Sequence, residues 1–316
     1  MPPQAIAIDL GGTAIKAALV QAGGHLRHEQ SIPTEADGGR DHVLDRIAGL
    51  VSGLWNDSGE AVAGIGIGVP GAVDAAQRYV VHPPNLPGWD RVDVSAELGR
   101  RLDREVRVVV ENDANAAALG SAHYGAGRDF RAFLMATLGT GVGGAIVIDG
   151  RIFRGANGGA GEFGHVSVDY EGPVDGAGVA GAAEAYVGQE YLTARARQLL
   201  LSRPDSLLRS VPDADLSPRH LTEAADAGDA LAAEILAWAG HKLGCTLASV
   251  VHVLDIRKIV VGGGVSGAGE WLLGPARRAL VAQTMPALRD GLDIVVETLG
   301  NDAGLLGAAH PLLDEA

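Results

Sequence analysis

A glycine- and threonine-rich turn follows the first apolar segment of the chain, and a related turn recurs further along. The first is Asp9-Leu10-Gly11-Gly12-Thr13-Ala14-Ile15-Lys16, and the second is Leu138-Gly139-Thr140-Gly141-Val142-Gly143-Gly144. Glycine lets a backbone approach phosphate without an intervening Cβ, a Thr hydroxyl can donate a hydrogen bond, and an Asp at a strand end suits hydrated magnesium. Each turn alone is equally typical of a tight β-hairpin. Together with the downstream residues, the pair predicts two turns around one phosphate chain.

The periodicity of apolar residues predicts an α/β chain with a mixed sheet and a repeated plan. The length of 316 residues favours two domains with a ligand cleft between them. We expect an N-terminal lobe over 1–118, a C-terminal lobe over 119–300 and a terminal helix over 301–316 that returns to the first lobe. The predicted elements are strands near 6–8, 17–20, 28–32, 65–69, 106–110, 133–137, 145–148, 151–153 and 258–262, and helices over 42–55, 94–102, 182–201, 230–254 and 299–309.

Composition argues against several classes of partner. A formal charge of −14, from 39 acidic and 25 basic residues, opposes binding to DNA or RNA. No segment approaches the roughly 20 apolar residues that a membrane span needs, and the first residues lack a signal-peptide pattern. We therefore expect a cytoplasmic protein with no membrane partner. The single cysteine, Cys245, excludes an intramolecular disulfide and a cysteine-built zinc site, and its neighbours predict a buried, unreactive thiol.

Two polar groups of residues are candidates for chemistry. Asn112 and Asp113 lie where a strand passes into an Ala-rich helix; they can serve as helix caps, or the carboxylate can take a proton from an attacking hydroxyl. Glu162, His165 and Glu184 lie in and after a glycine-dense stretch. Singly, such side chains are most often solvated or structural, but together they suit a ring of vicinal hydroxyls, as in a sugar.

The chain resembles the ROK family (repressor, open reading frame, kinase), within the actin, heat-shock and sugar-kinase ATPase fold. The matching motifs occur in the family's order over nearly the whole length. They are Asp9-Leu10-Gly11-Gly12-Thr13, Gly68-Val69-Pro70-Gly71-Ala72-Val73-Asp74, Glu111-Asn112-Asp113-Ala114-Asn115, Leu138-Gly139-Thr140-Gly141-Val142-Gly143-Gly144, Gly161-Glu162-Phe163-Gly164-His165, Val261-Gly262-Gly263-Gly264-Val265-Ser266 and Asp302-Ala303-Gly304-Leu305-Leu306-Gly307-Ala308-Ala309.

The resemblance implies a two-lobed ribonuclease H-like fold with duplicated mixed sheets, flanking helices and an interdomain cleft, and it implies a homodimer. It implies Asp113 as the catalytic base. Sugar-binding residues would be Gly71, Asn112, Asp113, Glu162, His165 and Glu184. Residues around ATP would be Gly11, Gly12, Thr13, Thr140, Gly141, Gly263 and Gly264, with Lys16 near the phosphates and Asp9 near magnesium through water.

One departure from the family concerns zinc. Many members carry Cys-x-Cys-Gly-x-x-Gly-Cys-x-Glu, where this chain has Asp175-Gly176-Ala177-Gly178-Val179-Ala180-Gly181-Ala182-Ala183-Glu184. All three thiolates are absent, and Asp175 with His165 falls short of the four ligands of a structural zinc. We predict a loop without zinc, held by backbone hydrogen bonds and packing. The loss also removes one means of orienting His165 toward a sugar.

With these residues, the resemblance implies an ATP-dependent hexose kinase, and we expect it to phosphorylate the 6-hydroxyl of glucose. Other acceptors in the family are fructose, mannose, allose, N-acetylmannosamine and N-acetylglucosamine, and polyphosphate is another donor; the glycine turns do not separate these. A sugar-responsive repressor is the alternative from another class. It needs a DNA-binding module before the kinase-like region, and with nine residues up to Asp9 we expect no such module. A sugar-binding module without catalysis fits less well with Asp113 and the glycine turns.

Overall fold

The computed structural model of the protein describes residues 3–59, 61–74, 76–81, 83 and 85–314. The strands are β1 Gln4–Leu10, β2 Ala14–Gln21, β3 His25–Pro33, β4 Val62–Val69, β5 Ala72–Val73, β6 Tyr79–Val81, β7 Arg91–Asp93, β8 Val108–Asn112, β9 Ala132–Leu138, β10 Val142–Ile148, β11 Arg151–Ile152, β12 Lys258–Gly262 and β13 Asp293–Val296. The α-helices are α1 Gly39–Asp57, α2 Val94–Leu102, α3 Asp113–Tyr124, α4 Glu184–Val187, α5 Gln189–Leu200, α6 Pro218–Asp226, α7 Ala230–Leu254, α8 Glu270–Gln283 and α9 Ala303–Leu313.

Two five-stranded sheets follow the same plan. The first has the order β3-β2-β1-β4-β8, in which β1, β2 and β3 are antiparallel neighbours and β1, β4 and β8 run parallel. The second has the order β11-β10-β9-β12-β13, with β9, β12 and β13 parallel and β10 and β11 antiparallel. The mixed α/β class and the repeated plan predicted from the sequence are confirmed.

The chain divides into two compact units. Unit 1 contains residues Met1–Arg131, Ala145–Gly161 and Thr298–Ala316, and unit 2 contains Ala132–Gly144 and Glu162–Glu297. The domain boundaries expected at residues 118 and 300 stay a prediction.

The first sheet of unit 1 is covered on both faces, and alternation along β1 decides which side chain goes to which face. Ile6 and Ile8 lie in an apolar cluster with residues of α1 and α2, whereas Ala5 and Ala7 lie in a second cluster with residues of α9. The second face takes alanines because α9 approaches closely. A Cβ added at Gly66 on β4 would lie 1.9 Å from the carbonyl oxygen of Ala308 on α9.

The structure differs from the sequence-based elements in several places. The single helix predicted over 182–201 is two helices, α4 and α5, which meet at Gly188 in extended backbone with φ −60° and ψ 145°. The predictions also lacked the small sheet β5-β6-β7, strand β13 and helices α6 and α8. Strands of two or three residues are too short to show a period of two.

The prediction of a buried Cys245 is wrong. The residue is half-buried on α7, and its Sγ lies 3.7 Å from Nε2 of His241. Burial still raises the pKa of the thiol, which disfavours the reactive thiolate. In the part of the chain that the structure describes, no helix combines the length and apolar character needed to cross a membrane.

Candidate active site

One group of candidate site residues lies in unit 1, at the carboxyl ends of three parallel strands. Asp9 on β1 pairs in register with Gly68 on β4, and Gly68 pairs with Glu111 on β8. The next register pair is Val69 with Asn112, and Asp113 then begins α3. Neighbouring strands lie about 4.8 Å apart. The topology therefore places Asp9 and the Asn112–Asp113 junction at one edge of the sheet, where ligands of α/β proteins commonly bind.

Asp9 is suited to hold a hydrated cation. Its Oδ2 lies 4.0 Å from Nζ of Lys16, the residue paired with it on β2. Burial raises the pKa of the Asp9 carboxyl group, while Lys16 acts in the opposite direction. A Cβ added at Gly304 of α9 would lie 3.5 Å from Cγ of Asp9, so the helix backbone comes close to the carboxylate. A single carboxylate is a usual protein anchor for magnesium, which keeps most of its waters.

The first glycine turn joins β1 to β2. The Gly11 amide donates to the carbonyl of Ala14 at 2.9 Å, and the Thr34 hydroxyl donates to the carbonyl of Gly11 at 2.6 Å. Gly12 and Thr13 are exposed. Thr34 comes from beyond β3 and was not recognised in the sequence. The turn is thus anchored on one side and open to solvent on the other.

Asn112 and Asp113 have distinct surroundings. The Asn112 side chain caps α3, because its Oδ1 accepts from the amide of Asn115 at 3.0 Å, and its Nδ2 donates to the carbonyl of Gly71 at 2.9 Å. The capping role considered for Asn112 is therefore present. Asp113 is exposed, and its Oδ1 accepts from the amide of Ala114 at 2.8 Å. Gly71 has φ +83°, a conformation that favours glycine, and its carbonyl accepts from the side-chain amide of Asn112.

Glu111, directly before these residues, carries a network that the sequence did not reveal. Its side chain is 2% exposed and forms a two-pronged ion pair with Arg154, whose Nη1 donates to Oε1 at 2.8 Å and whose Nη2 donates to Oε2. Oε1 also accepts from Nδ2 of Asn115 and from the amide of Asn112, both at 3.0 Å. Oε2 accepts from Nε2 of Gln77 at 3.0 Å.

A separate group of candidate residues lies in unit 2 and is centred on the second glycine turn. The Val142 amide donates to Oε2 of Glu184 at 3.0 Å. A Cβ added at Gly141 would lie 2.1 Å from the same oxygen, and one added at Gly164 would lie 2.0 Å from the Val142 carbonyl. Glycine at both positions lets Glu184 and the turn Phe163–His165 pack on the strand that follows Thr140-Gly141. Thr140 itself is exposed.

His165 is held by a buried carboxylate. Its Nδ1 lies 2.6 Å from Oδ2 of Asp175, whose side chain is 0% exposed. The Ala177 and Val179 amides donate to Oδ1 of Asp175 at 3.0 and 2.8 Å. Burial alone would lower the pKa of His165, but the bond to Asp175 and the nearby Glu184 raise it overall. Asp175 therefore orients His165. In the sequence analysis, Asp175 was considered only as a possible zinc ligand.

Glu162 completes this group at the start of the 3₁₀ turn. It is exposed, yet partial loss of solvent raises the pKa of its carboxyl group, with His165 lowering it and Glu184 raising it again. Two acids and an imidazole thus influence one another within unit 2. Such a set can accept and donate several hydrogen bonds to hydroxyl groups.

The third glycine turn, after β12, packs against the start of the second. A Cβ added at Gly263 would lie 2.3 Å from the carbonyl of Leu138, and Gly263 has φ +85°. Gly264 has no atom within 4 Å of the corresponding position. The candidate nucleotide residues of unit 2 therefore converge near the end of β9.

The loop that replaces the zinc motif is closed by backbone hydrogen bonds. The Val168 amide donates to the Gly181 carbonyl at 2.8 Å, and the Gly181 amide donates to the Pro173 carbonyl at 2.7 Å. Among the described residues, one group of three potential metal ligands occurs, with ligand atoms within 4.8 Å of one another; it consists of His165, Asp175 and Glu184. Three ligands are fewer than a structural zinc takes. The absence of zinc stays a prediction.

Repeated mixed sheets with glycine turns at their strand ends define the actin-like ATPase class of α/β proteins, and solved structures of the same class agree. A ROK family glucokinase from Streptomyces griseus, in complex with glucose and AMPPNP, matches with a TM-score of 0.86 at 33% identity over 98% of each chain. A ROK hexokinase from Thermus thermophilus matches with a TM-score of 0.78 at 30% identity over 99% of this chain and 100% of that one.

The chain belongs to the ROK family, whose family model matches residues 5–315. A glucokinase of Halalkalibacterium halodurans is 35% identical over 309 residues, which cover 96% of this chain and 92% of the relative. The resemblance inferred from the motifs is confirmed. These relatives place the chain among the sugar kinases of the family.

Proposed function

We propose that the protein is an ATP-dependent glucokinase that transfers the γ-phosphoryl group to the 6-hydroxyl of glucose. The observation that carries the proposal is the contact between Glu184 and the second glycine turn, through the Val142 amide. It links a candidate ligand of sugar hydroxyls directly to a turn suited to phosphate. The relatives named glucokinase, and the related structure with glucose and AMPPNP, support the choice of both substrates.

In this proposal Asp113 accepts the proton of the attacking hydroxyl. Its carboxylate is exposed at the first residue of α3, after a strand whose end is fixed by the Glu111 network. One oxygen accepts from the Ala114 backbone amide, which helps to orient the carboxylate. The side-chain amide of Asn112, which donates to the Gly71 carbonyl, lies next to Asp113 in sequence and would bind a second hydroxyl of the sugar.

Glu162, His165 and Glu184 would bind the remaining sugar hydroxyls. Asp175 accepts from Nδ1 of His165, so Nε2 is the ring nitrogen available for a sugar. A polar set of this kind discriminates strongly against sugars that lack a hydroxyl, because its own groups would then be left unpaired.

The nucleotide would contact Gly11, Gly12, Thr13, Thr140, Gly141, Gly263 and Gly264. Lys16 would lie near the phosphates, and Asp9 would hold magnesium through water. Magnesium neutralises charge on the phosphate oxygens during transfer. Backbone amides and Lys16 would hold the phosphates in line, and positioning of this kind supplies much of the rate in phosphoryl transfer.

The test is a coupled ADP-release assay over glucose, fructose, mannose, allose and the two N-acetylhexosamines, with ATP or polyphosphate as donor. We expect glucose with ATP to give the highest kcat/KM. The variant Asp113→Asn should lose about 10²- to 10⁴-fold in kcat, with glucose affinity by calorimetry nearly retained. Near-normal phosphorylation by Asp113→Asn would refute the assigned base. A strong preference for another acceptor would refute the proposed substrate.

A further inference from the structure

The buried ion pair between Glu111 and Arg154 joins two parts of unit 1 that are distant in sequence. Glu111 ends the strand that leads to Asp113, and Arg154 follows the short strand β11. The Arg154 side chain is 27% exposed, whereas that of Glu111 is 2% exposed. Taking a carboxylate out of water is costly unless it is paired and fully hydrogen-bonded. Arg154 supplies the compensating charge.

The Glu111 carboxylate also organises the junction around Asp113. Each of its oxygens has more than one donor, and Oε1 accepts both from the Asn112 amide and from the Asn115 side chain. The backbone amide of Asn115 in turn donates to Oδ1 of Asn112. Asn112, directly before Asp113, and Asn115, two residues after it, are therefore both hydrogen-bonded to the carboxylate that pairs with Arg154.

We propose that Arg154 is a positioning residue for phosphoryl transfer, acting on Asp113 through Glu111. The inference rests on the proposed function for its kinetic consequence. Without Arg154 the buried carboxylate loses its counter-charge and moves toward water, and because Asn112 and Asn115 are bound to it, the start of α3 shifts with it. Misplacement of a reacting group by about 1 Å can cost on the order of 10²-fold in rate.

Arg154 also closes the segment that leads to Glu162. The Ala160 amide donates to the Arg154 carbonyl at 3.2 Å, and Gly155 takes φ +67° to make that turn. The chain then reaches Gly161 and Glu162. One residue thus anchors the strand end before the candidate base and, along the chain, the beginning of the segment with a candidate sugar ligand.

The test compares Arg154→Ala and Arg154→Lys with Arg131→Ala. Arg131 forms an ion pair with Asp149 at 2.8 Å in the same unit, but its side chain is 85% exposed. We expect Arg154→Ala to lose about 10²-fold in kcat for glucose. Arg154→Lys keeps the positive charge but cannot donate two parallel hydrogen bonds to Glu111. Its kcat should therefore lie between those of Arg154→Ala and the wild type. Arg131→Ala should match the wild type.

Two further measurements separate positioning from a merely structural role. Millimolar guanidinium chloride should restore part of the activity of Arg154→Ala, and the same concentration of sodium chloride should not. Amide hydrogen exchange should accelerate in peptides covering 108–118 of Arg154→Ala, with β12 unchanged. A lowered melting temperature with wild-type kcat would overturn the inference, and so would a lowered kcat with no guanidinium rescue and unchanged exchange in 108–118.

The exchange experiment needs no substrate. If the wild type phosphorylates none of the sugars, the proposed function fails, and exchange over 108–118 still decides whether Arg154 fixes the junction. If the wild type is active and Asp113→Asn is not, a fully active Arg154→Ala refutes the inference alone.

Discussion

The contact between Gly141 and Glu184 offers the sharpest test of the candidate site. An alanine at position 141 would place its Cβ 2.1 Å from Oε2 of Glu184, while real Cβ contacts shorter than 3.0 Å essentially do not occur. The carboxylate must therefore retreat by about 1 Å (3.0 − 2.1 = 0.9). It can do so at modest cost, because it is the far end of a flexible side chain. We expect the variant to keep its fold, with the Glu184 carboxylate displaced.

The magnitude follows from these distances. A displacement of about 1 Å at a substrate ligand can cost on the order of 10²-fold in kcat/KM, or roughly 2.7 kcal/mol of transition-state stabilisation. The hydrogen bond from the Val142 amide to Glu184 is lost as well, and a buried amide without a partner costs about 1 to 3 kcal/mol in stability. We expect a melting temperature lower by a few degrees and a much larger loss of activity.

The assay is steady-state phosphorylation of glucose by Gly141→Ala, with Gly139→Ala as the matched control. Gly139 lies in the same turn, and a Cβ there meets no atom within 4 Å. The control should remain within about threefold of the wild type, because a Cβ that meets no neighbouring atom has a small effect. The KM for glucose should rise in Gly141→Ala because the displaced Glu184 carboxylate is a candidate sugar ligand, and a rise in the KM for ATP would reflect the proposed contact of Gly141 with the nucleotide.

A double-mutant cycle completes the test. Once Glu184 is replaced by alanine, the obstacle to a Cβ at position 141 is gone. In the KM for glucose, Gly141→Ala should then add little to the defect of Glu184→Ala, because the two residues are in contact. Additive defects, or equal defects in Gly139→Ala and Gly141→Ala, would refute the reasoning.

Two further predictions concern pH and metal. The rings of His123 and His310 stack at 3.5 Å, and burial together with His123 lowers the pKa of His310 to about 4. Since the unfolded value is near 6.5, the unfolded chain binds the extra proton between those values, so stability should fall by roughly 1 to 3 kcal/mol as pH drops from 6.5 to 4. The melting temperature of His310→Asn should depend less on pH across this range than that of the wild type. The same pH dependence in both proteins would contradict the lowered pKa of His310. Protein dialysed against a chelator should hold no stoichiometric zinc by atomic absorption and keep its activity with magnesium; one bound zinc per chain would contradict the loss of the site at Asp175.

Local patterns in the sequence predicted most of the regular structure. Apolar alternation and three-and-four spacing located the strands of the opening meander and helices α1, α2 and α7, because these signals depend on near neighbours. The same patterns did not locate the break between α4 and α5. Gly188 interrupts that helix at a place where a Cβ would lie 2.9 Å from the Glu184 carbonyl and 3.0 Å from the Thr140 carbonyl. Such crowding exists only once the second glycine turn has packed against the helix.

The candidate site divides in the same way. Motif order and residue type were sufficient to single out Asp9, Asn112, Asp113, Glu162 and Glu184 and to indicate the family. Their roles in binding and catalysis stay predictions that the assays above address.

The contacts that set the geometry of these residues come from the tertiary structure. Arg154 meets Glu111 across 43 positions of sequence, and Glu184 meets the Val142 amide across 42. No local period records such pairs. Each depends on which strands become neighbours, and that choice is made when the apolar faces of sheets and helices pack together. Residue chemistry was therefore readable from the chain itself, whereas the orientation of that chemistry was decided by packing between distant segments.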